Sequence, residues 1–249
     1  MKTDNTYSGK VIDIRGLNKS FGDVKVLTDI DLELAHDENL VILGRSGTGK
    51  SVLIKCIVGL ETFESGTIYV LGQNIAELNE FSLNDLRKNI GFLFQGGALY
   101  DSMSLEANLI FPLERNAPGL SMGERDDLID DVLESVGLLN AKHKMPVELS
   151  GGMKKRAGLA RTLVLKPKVI LYDEPTTGLD PFTSEGINEL IISVKERYKT
   201  AAIVVTHDMK SARMIADRMI IMDQGKILAK GRYDKLKKID DPVIKGFFN

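Results

Sequence analysis

The sequence predicts an α/β fold: a mixed β-sheet core with flanking helices, an N-terminal antiparallel β-subdomain and an inserted helical subdomain. Three observations carry that expectation. A short apolar run, Asn39-Leu40-Val41-Ile42-Leu43, leads through a glycine-rich turn into a helical segment at 51–58. Alternating segments at 11–15, 29–34 and 67–71 read as antiparallel strands. Between 96 and 166, by contrast, 105–113, 124–136 and 153–165 show helical spacing with almost no strand signal.

Taken in order, each element has a local reason. The glycine-rich turn reads Gly44-Arg45-Ser46-Gly47-Thr48-Gly49-Lys50-Ser51, the G-x-x-x-x-G-K-S pattern whose backbone N–H groups cradle polyphosphate. The helix that starts at Ser51-Val52 adds partial positive charge where such a ligand is most negative. Lys50 is expected to reach the β/γ-phosphates, and the Ser51 hydroxyl to hold magnesium. A strand at 90–94 ends at Gln95. Within the helical stretch, Leu128, Val132, Leu133 and Val136 recur at three and four, which makes one buried face. Leu149-Ser150-Gly151-Gly152-Met153 then opens a basic helix, and its serine, glycines and free amides form a second anion-binding surface. A strand at 169–171 runs into Asp173-Glu174 and places two carboxylates at the carboxyl end of a buried strand, where open α/β sheets bind ligands. Asp173 suits magnesium through water, and Glu174 can take a proton from an attacking water. Pro181 suits the first position of a long helix capped by Asp180. His207 follows a last apolar strand at 201–205.

Composition bounds the class. The 249 residues are 27% charged and 43% hydrophobic, ordinary for a globular chain able to bury a sizeable core. A net charge of −2 gives no overall surface for nucleic acid. Lys235-Leu236-Lys237-Lys238 is a small basic cluster, read as a solvated helix face. Cys56 is the only cysteine, so no intrachain disulfide forms, and its place in the helix after the glycine-rich turn suits a small buried side chain. The stretch 1–10 is polar, unlike a signal peptide, and no segment approaches the ~20 apolar residues that span a bilayer. His36 and His143 belong to no motif and read as surface residues.

With these motifs in this order, the chain resembles the nucleotide-binding subunit of ABC transporters, a P-loop NTPase of the ABC ATPase type, from about Val11 to its C-terminus. The resemblance implies a single ABC ATPase domain over 1–249, with 11–95 and 167–230 as nucleotide-binding core. It also implies a helical subdomain at 96–166 and a C-terminal helix and tail at 231–249. It further implies ATP and Mg2+ as cofactors and a homodimer in which the signature Ser150-Gly151-Gly152 of one subunit closes over the nucleotide held by the other. Gln95 would touch magnesium and couple to a permease, and Thr177-Gly178-Leu179-Asp180 would link the two sites. His207 would contact the γ-phosphate, and Phe21 would stack on adenine. The residues leave Phe21 open as either a stacking ring or a core phenylalanine. Two positions depart from the family pattern: Met153 stands where glutamine is usual, and Phe21 where tyrosine is more frequent. Met153 cannot donate the hydrogen bond of a glutamine side chain.

Three stretches narrow the resemblance further: 95–104, the Ser150-Gly151-Gly152-Met153 variant, and 241–248. Together they look like the MlaF-type ATPase of MCE-associated phospholipid transporters, which implies integral membrane permease and MCE-domain partners. Membrane association would then run through partners only, at the cytoplasmic face of an inner membrane. The alternative is the ATPase of a generic small-molecule importer. A soluble ABC mechanoenzyme would usually carry two cassettes or a long coiled-coil insertion. A non-hydrolysing regulator would not be expected to keep both Glu174 and His207. Leu99, Tyr100 and Met103 either fold into the helical subdomain or face the permease.

Overall fold

In the computed structural model, which describes residues 9–248, two long strands come first: β1 (Lys10–Phe21) and β2 (Val24–Ala35). Most of the polar 1–10 stretch lies outside the described residues. β3 (Asn39–Leu43) feeds α1 (Lys50–Ile57), and β4 (Ser65–Val70) and β5 (Gln73–Asn74) follow. Helix α2 (Glu80–Arg87) precedes β6 (Ile90–Leu93). Three helices then run in succession, α3 (Leu105–Asn116), α4 (Met122–Ser135) and α5 (Gly151–Leu163), before β7 (Val169–Asp173). Helix α6 (Pro181–Tyr198), β8 (Ala201–Thr206), α7 (Met209–Ile215), β9 (Arg218–Asp223) and β10 (Lys226–Gly231) follow. The described chain ends in two single-turn helices, α8 (Tyr233–Leu236) and α9 (Pro242–Lys245).

The strands form two sheets. One has the order β2-β1-β4-β5 and is antiparallel throughout. The other has the order β10-β9-β3-β8-β7-β6, parallel except for the β10 edge. Its central strands are buried on both faces, which is why they read as unbroken apolar runs. Leu40, Ile42, Val169, Leu171, Ile203 and Val205 pack with α1 and the antiparallel sheet. Val41, Leu43, Ile170, Tyr172, Ala202 and Val204 face the opposite way, into a core shared with α3 to α7.

β1 and β2 exceed the expected alternating segments because their ladder survives register shifts. Gly16 (φ +55) and Asp29 (φ +51) turn through the left-handed region there, which breaks the alternation without ending the pairing. The helices begin at side-chain caps: Ser104 for α3, a Ser121/Glu124 capping box for α4, Ser150 for α5 and Asp180 for α6. Pro181 does occupy the first turn of α6. The expected C-terminal helix is instead two short turns, because Pro242 restricts Asp241 to extended backbone and restarts a helix that Asp241 caps. In the basic cluster Leu236 is buried while its lysines are exposed. Cys56 is buried, and that burial pushes its thiol up to about 11. No helix among the described residues is long and apolar enough to cross a membrane.

Candidate active site

The carboxyl ends of β3, β7 and β8 converge on a cleft of about 760 Å³ lined by Lys50, Ser51, Gln95, Glu174, Thr177 and His207, with Arg45, Ser46, Gly47, Gly49 and Val52 on the loop side. The glycine-rich loop holds its own shape. The Lys50 ammonium, 5% exposed, donates to Gly44 O (2.8 Å) and Arg45 O (3.0 Å), and the Thr48 hydroxyl donates to Arg45 O (2.9 Å). Gly49 must be glycine on two counts: its φ is +96, and a Cβ would lie 2.7 Å from Val26 O. Gly44 and Thr48 are buried and do not line the cleft; they shape the loop that does.

Ser51 Oγ donates to Asp173 Oδ1 at 2.7 Å, joining the start of α1 to the end of β7. With the amide of Gln95 on the same cleft, these are hard oxygen donors with a single carboxylate. Such a set suits Mg2+, which keeps several waters and takes one or two carboxylates plus substrate phosphates. Beyond Asp173 the backbone turns sharply. Glu174 has φ +49, a conformation that side-chain-bearing residues adopt only under constraint. Its N–H donates to Val205 O at 3.0 Å, and the turn aims its carboxylate at three groups. Oε2 accepts from Thr177 Oγ1 (3.0 Å) and lies 2.8 Å from His207 Nδ1, while Oε1 is 3.5 Å from Lys50 Nζ. A carboxylate only accepts, so the imidazole proton on this side sits on Nδ1. The fourth charge nearby is Lys155 of α5, whose pKa is lowered by burial and partly restored by Asp173 and Glu174.

The other expected residues lie elsewhere. Ser150 and Gly151 are exposed at the start of α5, outside the cleft; the Ser150 hydroxyl accepts from Met153 N at 3.3 Å. Gly152 packs so tightly on α6 that a Cβ would meet Thr183 Cγ2 at 2.4 Å. Asp180 caps α6 by accepting from Thr183 N (3.0 Å) and Thr183 Oγ1 (2.5 Å), bonds that hold its carboxyl below the usual range. Phe21, at the tip of the β1–β2 hairpin, is 47% exposed with Lys19 Nζ 4.5 Å from its ring centroid, so the core reading does not hold. It does not itself line the cleft; Val26 of the same hairpin does. Met153 packs half-buried on the helical core. Both unassigned histidines are exposed, and His143 Nδ1 sits 3.1 Å from Glu106. Sequence reasoning missed Met209, Gly246 and Phe247, which also line the cleft. Met209 enters at the start of α7, just after His207, and the C-terminal turns bring in Gly246 and Phe247, which no spacing rule links to a loop near the other end of the chain.

A family model described as ABC transporter matches residues 27–177, more than half of the chain. The chain belongs to the ABC transporter family. Its relatives include the "Probable ribonucleotide transport ATP-binding protein mkl" of Mycobacterium leprae, 39% identical over 97% of this chain and 69% of that protein. The methionine import ATP-binding protein MetN of Clostridium tetani is 38% identical over 91% of this chain and 70% of its own length. Among solved structures, cbiO1 from Clostridium perfringens, part of the ABC transporter complex cbiONQ, superposes with a TM-score of 0.85, 27% identity, and coverage of 97% of this chain and 96% of that one. The ATP-binding cassette MJ0796 bound to ADP and Pi, a dimeric post-hydrolysis structure, superposes with a TM-score of 0.80 and 30% identity over 89% of this chain and 98% of that one. This chain is therefore the ATP-hydrolysing subunit of an ABC transporter, using ATP with Mg2+. Its fold is that of the ABC ATPases.

Proposed function

We propose that this ATPase works as a homodimer beneath a pair of integral membrane permease subunits, at the cytoplasmic face of an inner membrane. The transporter it powers moves phospholipids between inner and outer membranes, with MCE-domain lipid-binding subunits as further partners. Residues 11–95 and 167–230 act as the nucleotide-binding core, 96–166 as a helical subdomain, and 231–249 as a C-terminal extension within one domain over 1–249. The observation that carries the dimer is the separation of two halves of one site: Ser150 and Gly151 are exposed and take no part in the cleft that Lys50 and Glu174 line. A second chain can supply what the first holds apart.

In this reading Glu174 orients and deprotonates the attacking water, and His207, holding its Nδ1 proton toward Glu174, meets the γ-phosphate. Lys50 leaves its two carbonyls for the β/γ-phosphates, and Ser51, Gln95 and Asp173 would hold magnesium, which would supply charge neutralisation when bound. Phe21 stacks on adenine, and Asp180 sits where the two sites communicate.

For the permease, the expected trio of anchors reduces to one. Leu99 packs against the helical core and Met103 is half-buried, but Tyr100 is 40% exposed, edge-on to Phe111 at 5.0 Å with Arg161 stacked at 4.4 Å. It borders a cavity of about 420 Å³ that Phe92 and Phe94 also line, an aromatic socket for an apolar segment. The phospholipid assignment rests on the resemblance at 95–104, 150–153 and 241–248. The names of the relatives favour a second reading, an importer of small polar solutes. Purifying the complex from membranes and identifying its partners and bound lipid by mass spectrometry separates the two. MCE-domain subunits with phospholipid are expected; a soluble amino-acid- or nucleotide-binding subunit without lipid would replace the lipid reading with the importer.

A further inference from the structure

The loop after Gln95 has two consecutive left-handed residues, Gly97 (φ +80) and Ala98 (φ +50), and one local turn bond, from Gly97 N–H to Phe94 O at 2.9 Å. Helix α5 grips it. Gly158 brings the two backbones together, since a Cβ there would lie 2.5 Å from Gly97 O. Arg161 Nη1 donates to Ala98 O, and Lys155 Nζ donates to Gln95 O. Lys155 also reaches Glu174 O at 3.5 Å, on the residue held left-handed by Val205. One ammonium, 6% exposed, thus contacts the main chain of both Gln95 and Glu174 from the helix whose first turn is Gly151-Gly152-Met153.

Stability does not explain a lysine here. Burying an ammonium costs several kcal/mol, which its bonds to two carbonyls must offset before they add anything to stability. The apolar face of α5, Ala157, Leu159, Ala160 and Leu163, already anchors the helix in the core. What an apolar residue cannot do is hold two carbonyls on separate loops at once.

We propose that Lys155 is a positioning residue for hydrolysis: its ammonium bolts α5 to the Gln95 loop and to Glu174, so that the signature end of α5, the magnesium-facing glutamine and the water-activating carboxylate move as one body. This rests on the roles proposed above for Gln95 and Glu174. Lys155 touches neither substrate nor reacting atoms, and its effect runs through the two loops.

The test is Lys155→Met in the full chain, with Lys155→Arg as the conservative variant. Measured are kcat and KM for ATP, Tm, and amide hydrogen exchange in the nucleotide-free protein. The Met variant is expected to keep its Tm within a few degrees and its KM within about twofold while kcat falls about tenfold, equivalent to about 1.4 kcal/mol of transition-state stabilisation. Exchange should rise about tenfold at 95–98 and 174–177 and stay unchanged in the β3–α1 loop, and Arg should recover most of kcat. Parental kcat and exchange in the Met variant would overturn the proposal. So would a parallel loss of Tm, KM and kcat, which marks simple structural support. If Lys155→Met does not fold, Lys155→Gln undergoes the same measurements, and the same two results would overturn the proposal. Exchange in the nucleotide-free protein reads the bolt independently of catalysis, so an error in the assignment of Glu174, visible as normal turnover in Glu174→Gln, remains distinguishable from failure of the bolt.

Discussion

The phosphate-loop side of the cleft and the Gln95–α5 side solve the same problem, holding a loop in a costly conformation, by opposite means. The phosphate loop is braced from within its own short span: Lys50 returns to Gly44 and Arg45, Thr48 returns to Arg45, and α1 starts at once. The loop at 95–104 has two local turn bonds, Gly97 N–H to Phe94 O and Met103 N–H to Tyr100 O, and is otherwise braced from outside. Lys155 and Arg161 hold its first half, and Asn108, fully buried in α3, holds its second. The Asn108 side chain accepts from Tyr100 N (2.8 Å) and donates to Tyr100 O, Met103 O and Ser104 O at 3.0–3.1 Å. Bracing from within sets the loop's shape before phosphate arrives. A loop braced by neighbouring helices moves when they move, which suits a segment that must report to a second protein.

The largest effect is expected where the two sides meet, in Glu174→Gln, which keeps size and hydrogen bonding but removes the proton acceptor. Turnover should fall about 10²-fold or more while ATP binding survives, because Lys50 and Ser51 are untouched, and an ATP-bound dimer should accumulate. Parental turnover in this variant would remove Glu174 from the mechanism.

The next test sets the two sides against each other in separate chains. Lys50→Ala breaks the phosphate loop, and Ser150→Arg breaks the signature. In a mixed dimer one site combines the intact loop of the second chain with the intact signature of the first, so the mixture should recover activity that neither variant has. A mixture as inactive as its components, with heterodimer formation proven, would place both halves of the site in one chain.

The smallest expected effect isolates the externally braced loop. Asn108→Ala removes the side chain's hydrogen bonds and takes the partner from the part-buried Tyr100 N–H and Met103 O, while Tyr100 O keeps Met103 N–H and Ser104 O keeps the Asn108 N–H, a destabilisation of about 1–3 kcal/mol. Denaturant unfolding should show that loss, while the isolated protein's affinity for ATP changes less than about twofold. Weakening of ATP binding in step with stability would show that the two sides are not separate in the way their bracing suggests.

What the sequence determined by itself was whatever is encoded within a few residues. The strand–turn–helix at 39–58 is legible because its glycines, Thr48 and Lys50 act within one short loop, and the caps at Ser150 and Asp180 because capping reaches only three residues. The buried parallel strands are legible as apolar runs, since burial on both faces removes the alternation that would otherwise disguise their length. The alternation did mislead at β1 and β2, where left-handed turns at Gly16 and Asp29 interrupt the pattern but not the pairing. The tertiary structure alone decided the rest: that Asp173 binds Ser51 from 122 residues away, that Phe247 closes one wall of the cleft, and that Tyr100 is exposed while Leu99 is not. It also decided that a lysine in a basic-looking helix is a buried bolt and not a solvated charge. The basic run at 154–156 does not tell these apart, because burial of an ammonium depends on which carbonyls the fold delivers to it.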